Sequence, residues 1–147
     1  MVAVSLKNNK RIKNVRTVND WLTRDEAVVD EYNAGKLTTF LFTVNGYRGL
    51  MNMILYVRKP RNIERIPKNL PMLMISGLDD PVGEYGKGVY RAYNSYHGHI
   101  DDIDLRLYED CRQELCNELN KEEIYEEIYG WIINNKRRKI NNTGMAF

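Results

Sequence analysis

The sequence predicts a protein of the α/β class, in which helices cover two parallel strands. The second half carries an apolar run over 72–76, a helical stretch, an alternating run over 103–108 and a closing helix after Asn120. This strand–helix–strand–helix order implies parallel strands joined by right-handed crossovers. With 147 residues, 43% of them hydrophobic, the chain is long enough to form one domain with its own core.

The two strands are predicted from different patterns. The run MLMIS at 72–76 has no polar alternation, which is typical of a strand covered on both faces. Over 103–108 apolar residues alternate with polar or amphipathic ones, and this period of two is typical of a half-buried strand. The helical stretch between them places Val89, Tyr93 and Tyr96 on one face.

The first half is predicted to be helical. The segment TRDE at 23–26 fits a capping box with Thr23 as N-cap, so we expect a helix to about Asn33 that ends at Gly35. An apolar helical stretch over 40–55 follows. We expect Gly46 and Gly49 to interrupt that second stretch and Pro60 to close it.

The closing helix is predicted to begin at the box-like segment 120–123. Its apolar side chains are expected to face inward: Ile124, Tyr125, Ile128, Trp131 and Ile132. A basic tail is expected to follow, beginning at Lys136.

Composition and charge exclude several classes of protein. The 22 Lys and Arg against 20 Asp and Glu leave a net charge of +2, which gives no reason to expect a nucleic-acid partner. No apolar run approaches the roughly 18 residues of a membrane span. The apolar stretch within the first ten residues is too short for a secretory signal. With only two cysteines, Cys111 and Cys116, we expect reduced thiols and a cytoplasmic protein.

Two loops at the carboxyl ends of the strands are the expected place for chemistry, because ligands of open α/β sheets bind at that edge. The first loop, 77–83, contains Asp80, whose carboxylate could orient a histidine or could be a solvated loop aspartate. In a serine hydrolase with the chain order Ser, Asp, His, the second loop, 109–118, would supply that histidine. This loop contains none.

Several segments resemble one known family in the right order. They are TVNDWLTRD at 17–25, the segment 66–83, YGKGV at 85–89, the loop 107–118 and the last helix with Trp131. Together they are similar to the C-terminal half of an α/β-hydrolase of the lysophospholipase and monoacylglycerol-lipase-like group, the serine aminopeptidase type. The resemblance implies the C-terminal part of an α/β-hydrolase fold, with a remnant of its helical cap.

The resemblance implies roles for two residues. Asp80 takes the position of the triad acid, and the family's Arg-His-Glu triplet stands here as Arg112-Gln113-Glu114. Gln113 therefore takes the position of the triad base, and a glutamine cannot accept a proton from a serine near neutral pH. The general base is predicted to be missing.

The nucleophile is also predicted to be missing. The family carries its serine in a Gly-x-Ser-x-Gly elbow, and no such pentapeptide occurs in this sequence. Ser5 is in the arm, Ser76 ends a strand and Ser95 is in a helix. Loss of the serine or histidine of such a triad costs roughly a millionfold in turnover. We therefore expect this chain alone to be inactive.

On this basis the chain divides into four parts. We expect an irregular basic arm (1–16), a helical cap-like segment (17–60), a βαβα part of the hydrolase core (61–135) and a basic tail (136–147).

Four other patterns indicate no further site. The stretch from His97 to Asp102 has faint metal-ligand spacing but lies at the opposite end of the sheet from Asp80. The glycines of 83–88 are in the wrong order for a dinucleotide fingerprint, and Lys87 is followed by Gly88 rather than by the Ser or Thr of a phosphate loop. The segment 136–139 is interpreted as a solvated basic run. Cys111 and Cys116 lack zinc-site spacing, so neither a metal nor a cofactor is expected.

Three hypotheses remain open from the sequence. The chain is a truncated and inactive relative of the family, or one piece of a split hydrolase completed by a partner chain that supplies the N-terminal half. The third is a non-enzymatic module that binds acyl ligands. By resemblance, the substrate class is lipid or small esters.

Overall fold

The computed structural model describes residues 7–38 and 40–143, with side chains described only through residue 136. The first six residues of the predicted arm, including Ser5, lie outside the described residues, as do residues 144–147 of the predicted tail.

The N-terminal part begins with a short 3-10 helix, Asn9–Arg11, followed by helix α1, Glu26–Ala34. The expected N-cap of α1 was wrong by two residues. Asp25, not Thr23, caps the helix, because its carboxylate accepts hydrogen bonds from the amides of Ala27 and Val28. The Thr23 hydroxyl donates instead to the Asn117 carbonyl at 2.7 Å. The predicted end at Gly35 is confirmed.

Helix α2, Val44–Val57, is followed by the short helix α3, Pro60–Ile63. The expected interruption at Gly46 and Gly49 was wrong, since α2 runs through both, and a helix tolerates a glycine at a cost of only about 1 kcal/mol. Pro60 begins α3 in the first turn, where a proline's missing amide is not needed. No residue of α2 is buried, so this apolar helix has no covered face among the described residues.

The second half has the predicted order. Strand β1 is Met72–Gly77, helix α4 is Lys87–His97, strand β2 is Ile103–Tyr108 and helix α5 is Lys121–Thr143, with a 3-10 helix at Leu115–Asn117. The two strands pair in parallel, as predicted, from Met72 opposite Ile103 to Gly77 opposite Tyr108. The parallel register brings both carboxyl ends to one edge of the sheet.

The best-buried core lies between that edge and α5. Cys111, Leu115 and Ile124 are buried against one another, and Ile75, Tyr108 and Ile128 pack around them. Three expectations about burial were wrong. Tyr125 and Ile132 were expected to face inward but are 41% and 49% exposed. The four residues of β1 from Met72 to Ile75 were expected to be covered on both faces but are half-buried.

Helix α5 also differs from expectation, because it continues to Thr143 rather than giving way to a tail near Lys136.

No helix among the described residues combines the length and apolar character that a bilayer crossing requires. The division of the chain into four parts stays a prediction.

Candidate active site

Asp80 lies just beyond the carboxyl end of β1 and is 8% exposed. One carboxylate oxygen accepts a hydrogen bond from the Val82 amide at 2.8 Å. The other accepts from the Ser76 hydroxyl at 3.4 Å. These two bonds fix the side chain within the turn after the strand, so its orientation does not depend on a distant partner.

The turn after Asp80 is tight. Glu84 and Tyr85 have φ of 53° and 57°, and Gly86 has φ of 82°, so three consecutive residues are left-handed. A Cβ at Gly83 would lie 3.0 Å from the Asp80 carboxylate. Glycine at 83 therefore allows the backbone to approach the carboxylate.

The predicted arm contacts this turn through Arg11. Its guanidinium lies over the Tyr85 ring, 3.5 Å from the ring centroid, which is a cation–π contact.

The two strand-end loops are joined by backbone hydrogen bonds. The Leu78 amide donates to the Tyr108 carbonyl at 2.8 Å, and the Asp79 amide donates to the Cys111 carbonyl at 2.9 Å. Gly77 lies so close to the carbonyls of Cys111 and Arg112 that an added Cβ would overlap both. The loop that carries Asp80 is thus held against the loop that carries Gln113.

Asp80 and Gln113 line one cavity of about 710 Å³. Gln113 is exposed, whereas Asp80 is buried at the cavity wall. The structure therefore brings the two predicted site residues to the same space. Apolar and charged groups share the lining: Met74, Ile75, Val82, Val89 and Ala92 on one hand, and Arg58, Glu84 and Arg91 on the other. Arg91 pairs with Glu84.

The described serines do not form an elbow. Ser76 lies in β1 and Ser95 in α4, where its hydroxyl donates to the Ala92 carbonyl at 2.7 Å. Both line the cavity. Neither lies on a strand-to-helix turn, which is where the family's nucleophile is exposed.

The two histidines lie elsewhere. A ring nitrogen of His99 is 2.7 Å from the Ile66 carbonyl, and the His97 ring packs on Tyr93 with centroids 5.2 Å apart. Neither ring lines the cavity that holds Asp80. Within the described part of the chain, no group of three or more His, Cys, Asp or Glu residues is arranged to hold a metal ion.

Position 113 is framed by bonds that sequence reasoning missed. The Arg112 guanidinium donates to the carbonyls of Asp20 and Thr23, at 2.6 and 2.9 Å. The Glu114 amide donates to the Leu22 carbonyl at 2.7 Å. Both neighbours of Gln113 are thus tied to the segment 20–24.

Glu118 is the centre of this frame and has no exposed surface. Its carboxylate accepts from the Arg112 amide at 2.7 Å and from Arg24 Nε at 2.8 Å. Burial alone would lower the pKa of the Arg24 guanidinium, but its hydrogen bond to Glu118 and the charge there raise that pKa overall. Burial, together with the Glu118 charge, raises the pKa of the neighbouring Cys111 thiol.

Asp20 anchors the start of the same segment. It accepts hydrogen bonds from the Arg16 and Thr17 amides and from the Thr17 hydroxyl, at 2.6, 3.0 and 2.5 Å. Burial raises its pKa, yet these hydrogen bonds, the hydroxyl first, outweigh burial and lower the pKa below its usual range. No local sequence pattern predicts these bonds around position 113, because Arg24 and Glu118 are 94 residues apart.

The chain matches the model of one protein family, described as serine aminopeptidase, S33, over residues 2–120. No curated protein matches this chain. Among solved structures, it is similar to a thermostable carboxyl esterase from Bacillus coagulans in complex with glycerol, with 26% identity and a TM-score of 0.71. That match covers 86% of this chain and 40% of the esterase.

A lipase in its open form is also similar, at 20% identity and a TM-score of 0.74, which shows the fold alone. That match covers 90% of this chain and 42% of the lipase, so the chain spans about two fifths of the length of either protein. The two parallel strands with flanking helices form part of an α/β-hydrolase fold, as predicted. The chain belongs to the serine aminopeptidase S33 family of α/β-hydrolases.

Proposed function

We propose that this chain carries the acid and base positions of a carboxylic ester hydrolase but no longer performs the reaction by itself. The observation that carries the proposal is the shared cavity, which Asp80 and Gln113 both line. In a triad, a buried carboxylate orients the base, and the base takes the proton of the serine. Asp80 keeps the first role, whereas Gln113 cannot perform the second.

The chemistry of Gln113 supports inactivity. A primary amide neither accepts a proton at neutral pH nor returns one to a leaving group, so general acid–base catalysis is lost. The sequence also lacks the Gly-x-Ser-x-Gly elbow that presents the nucleophile. The substrate class in this proposal is small esters or the acyl esters of lysophospholipids and monoacylglycerols, in the cytoplasm.

The pairing of the two positions can be tested without any turnover. In Gln113→His, NMR titration should give the introduced imidazole a pKa about one unit above its ordinary value of about 6.5, because a carboxylate nearby favours the charged ring. The double variant Asp80→Asn, Gln113→His should lose that increase. Equal pKa values in the two variants would contradict the proposal.

A control separates Asp80 from the other charges of the cavity. Arg58, Glu84 and Arg91 also line it, and Glu84 is the other carboxylate among them. Glu84→Gln in the Gln113→His background should leave most of the increase in place, because Glu84 is paired with Arg91. If Glu84→Gln removes the increase and Asp80→Asn does not, the acid position has been assigned to the wrong residue.

A second candidate is one piece of a split hydrolase, favoured by the chain covering 40% and 42% of the two matched structures. Half-buried apolar residues from Met72 to Ile75 would then pack against strands of a partner chain. The DNA upstream of this coding segment should then contain a reading frame with a Gly-x-Ser-x-Gly elbow. Its absence would rule out a split enzyme encoded by adjacent frames.

A third candidate is an acyl-binding module without catalysis, favoured by the apolar part of the cavity wall, where Met74, Ile75 and Val89 lie. A fluorescent fatty acid should then bind with micromolar or tighter affinity, and Val89→Asp should abolish binding. Absence of saturable binding by the folded chain would exclude this candidate.

A further inference from the structure

We propose that Glu118, Arg24 and Arg112 form a clamp whose role is to position residue 113 against Asp80. The clamp consists of these three side chains and the carbonyls of segment 20–23 that they or their neighbours contact. The inference rests on the proposed function, since it assigns positioning residues to the acid and base positions of that site. None of the three touches the reacting atoms.

Hydrogen bonds hold the backbone on either side of position 113. Glu118 accepts from the backbone amide of Arg112 at 2.7 Å, directly before Gln113. The amide of Glu114, directly after Gln113, donates to the Leu22 carbonyl at 2.7 Å. The backbone is therefore held on both sides, while the Gln113 side chain is left exposed at the cavity.

The charge of the clamp is buried. Glu118 has no exposed surface, and such a carboxylate is stable only when it is paired and hydrogen-bonded. Arg24 Nε donates to it at 2.8 Å, and the amides of Arg24 and Leu119 each donate at 3.3 Å. Together with the Arg112 amide, four donors thus bond to the Glu118 carboxylate, five residues after position 113.

The clamp links two parts of the chain that are distant in sequence. Arg112 donates to the Asp20 and Thr23 carbonyls at 2.6 and 2.9 Å, and Arg24 also donates to the Asn120 side chain at 2.7 Å. The segment 20–24 is therefore bonded both to the loop, through Arg112, and to Asn120 just before α5. Among the described residues, the Asp80 loop is bonded to the same loop only before Arg112, through the Asp79 amide and the Cys111 carbonyl, so displacement of segment 20–24 would move residue 113 relative to Asp80.

The test combines amide hydrogen exchange with NMR titration. In Glu118→Gln, the amides of Arg112 and Glu114 should exchange at least about tenfold faster relative to the Leu78 amide. The Arg112 amide loses its carboxylate acceptor, and the Glu114 amide, which donates to the Leu22 carbonyl, is affected through the weakened Arg24–Glu118 bond that holds segment 20–24. Leu78 donates to Tyr108 at the end of the sheet and reports on global opening. In the Gln113→His background, Glu118→Gln should also return the imidazole pKa toward its ordinary value.

Two further variants keep the test decisive. Arg106→Gln is the matched control, because Arg106 is an arginine in β2 whose ion pair is with Glu127 of α5 and not with any residue of the clamp. It should change neither readout. If Glu118→Gln does not fold, Arg112→Met removes only the two bonds to the Asp20 and Thr23 carbonyls and should give the same changes at smaller size.

Exchange that rises equally at Leu78, Arg112 and Glu114, with the imidazole pKa unchanged, would mean that the clamp is merely structural and would overturn the inference. The proposed function fails separately. If the imidazole of Gln113→His has an ordinary pKa with the clamp intact, Asp80 and residue 113 are not paired, whatever the exchange rates of the clamp amides.

Discussion

Removing the Arg24 side chain should destabilise the fold far more than removing a surface arginine. Arg24→Met keeps most of the aliphatic stem but leaves the Glu118 carboxylate without its cationic partner. Breaking a buried ion pair in this way costs about 3–5 kcal/mol. Because the Arg24 side chain is 27% exposed and Glu118 retains the Arg112 amide at 2.7 Å, we expect the low end of that range.

The expected loss of about 3 kcal/mol is a large share of the 5–15 kcal/mol that typically stabilises a domain. Urea unfolding followed by circular dichroism measures it. The control is Arg106→Met, which breaks the ion pair with Glu127 between side chains that are 39% and 49% exposed. Exposed pairs contribute at most about 1 kcal/mol. If Arg24→Met costs no more than Arg106→Met, the buried pair does not hold the loop as argued.

Three further predictions concern the two cysteines, Asp20 and Gly77. In the folded chain, iodoacetamide should modify exposed Cys116 quickly and buried Cys111 only on unfolding; equal rates would contradict the packing. Because the pKa of Asp20 is lower in the folded chain than the unfolded value of 3.8, the ionised carboxylate stabilises the fold at pH values above 3.8. This stabilisation is lost as the pH falls through the pKa of the folded state. Asp20→Asn should therefore flatten the urea-derived stability profile at pH values below 3.8, whereas an unchanged profile would contradict this assignment. Gly77→Ala should abolish folding, as measured by circular dichroism, because the added methyl overlaps the Cys111 carbonyl; a native spectrum would refute it.

Local patterns predicted the strands well, because each pattern reflects a short-range rule. The run at 72–76 and the alternation at 103–108 each became a strand, and the implied crossover made them parallel. Boundaries that depend on a single competing bond were less predictable. Thr23 has the residue type of an N-cap, and its hydroxyl accepts from the Asp25 amide while it donates to the Asn117 carbonyl. The helix begins two residues later, because the Asp25 carboxylate accepts from the amides of Ala27 and Val28.

The candidate site was predicted only in part. Asp80 was proposed because it follows an apolar strand, and Gln113 because its neighbours match a family triplet; both line one cavity, and their roles stay predictions. The frame around Gln113 could not be identified, since nothing near Arg24 in the sequence indicates a partner 94 residues away. The exposure of Tyr125 and Ile132 was missed for a similar reason: helical periodicity tells which residues share a face, but not how wide the covering layer is.

The central claim is that this chain alone does not hydrolyse esters, and its most direct test is an ester assay. The purified, folded chain is incubated with p-nitrophenyl butyrate, with and without a fluorophosphonate that reacts with activated serines. We predict no release of nitrophenol above the buffer rate and no covalent labelling, since the sequence contains no Gly-x-Ser-x-Gly elbow and Gln113 stands at the proposed base position. Turnover that the fluorophosphonate abolishes would contradict the account.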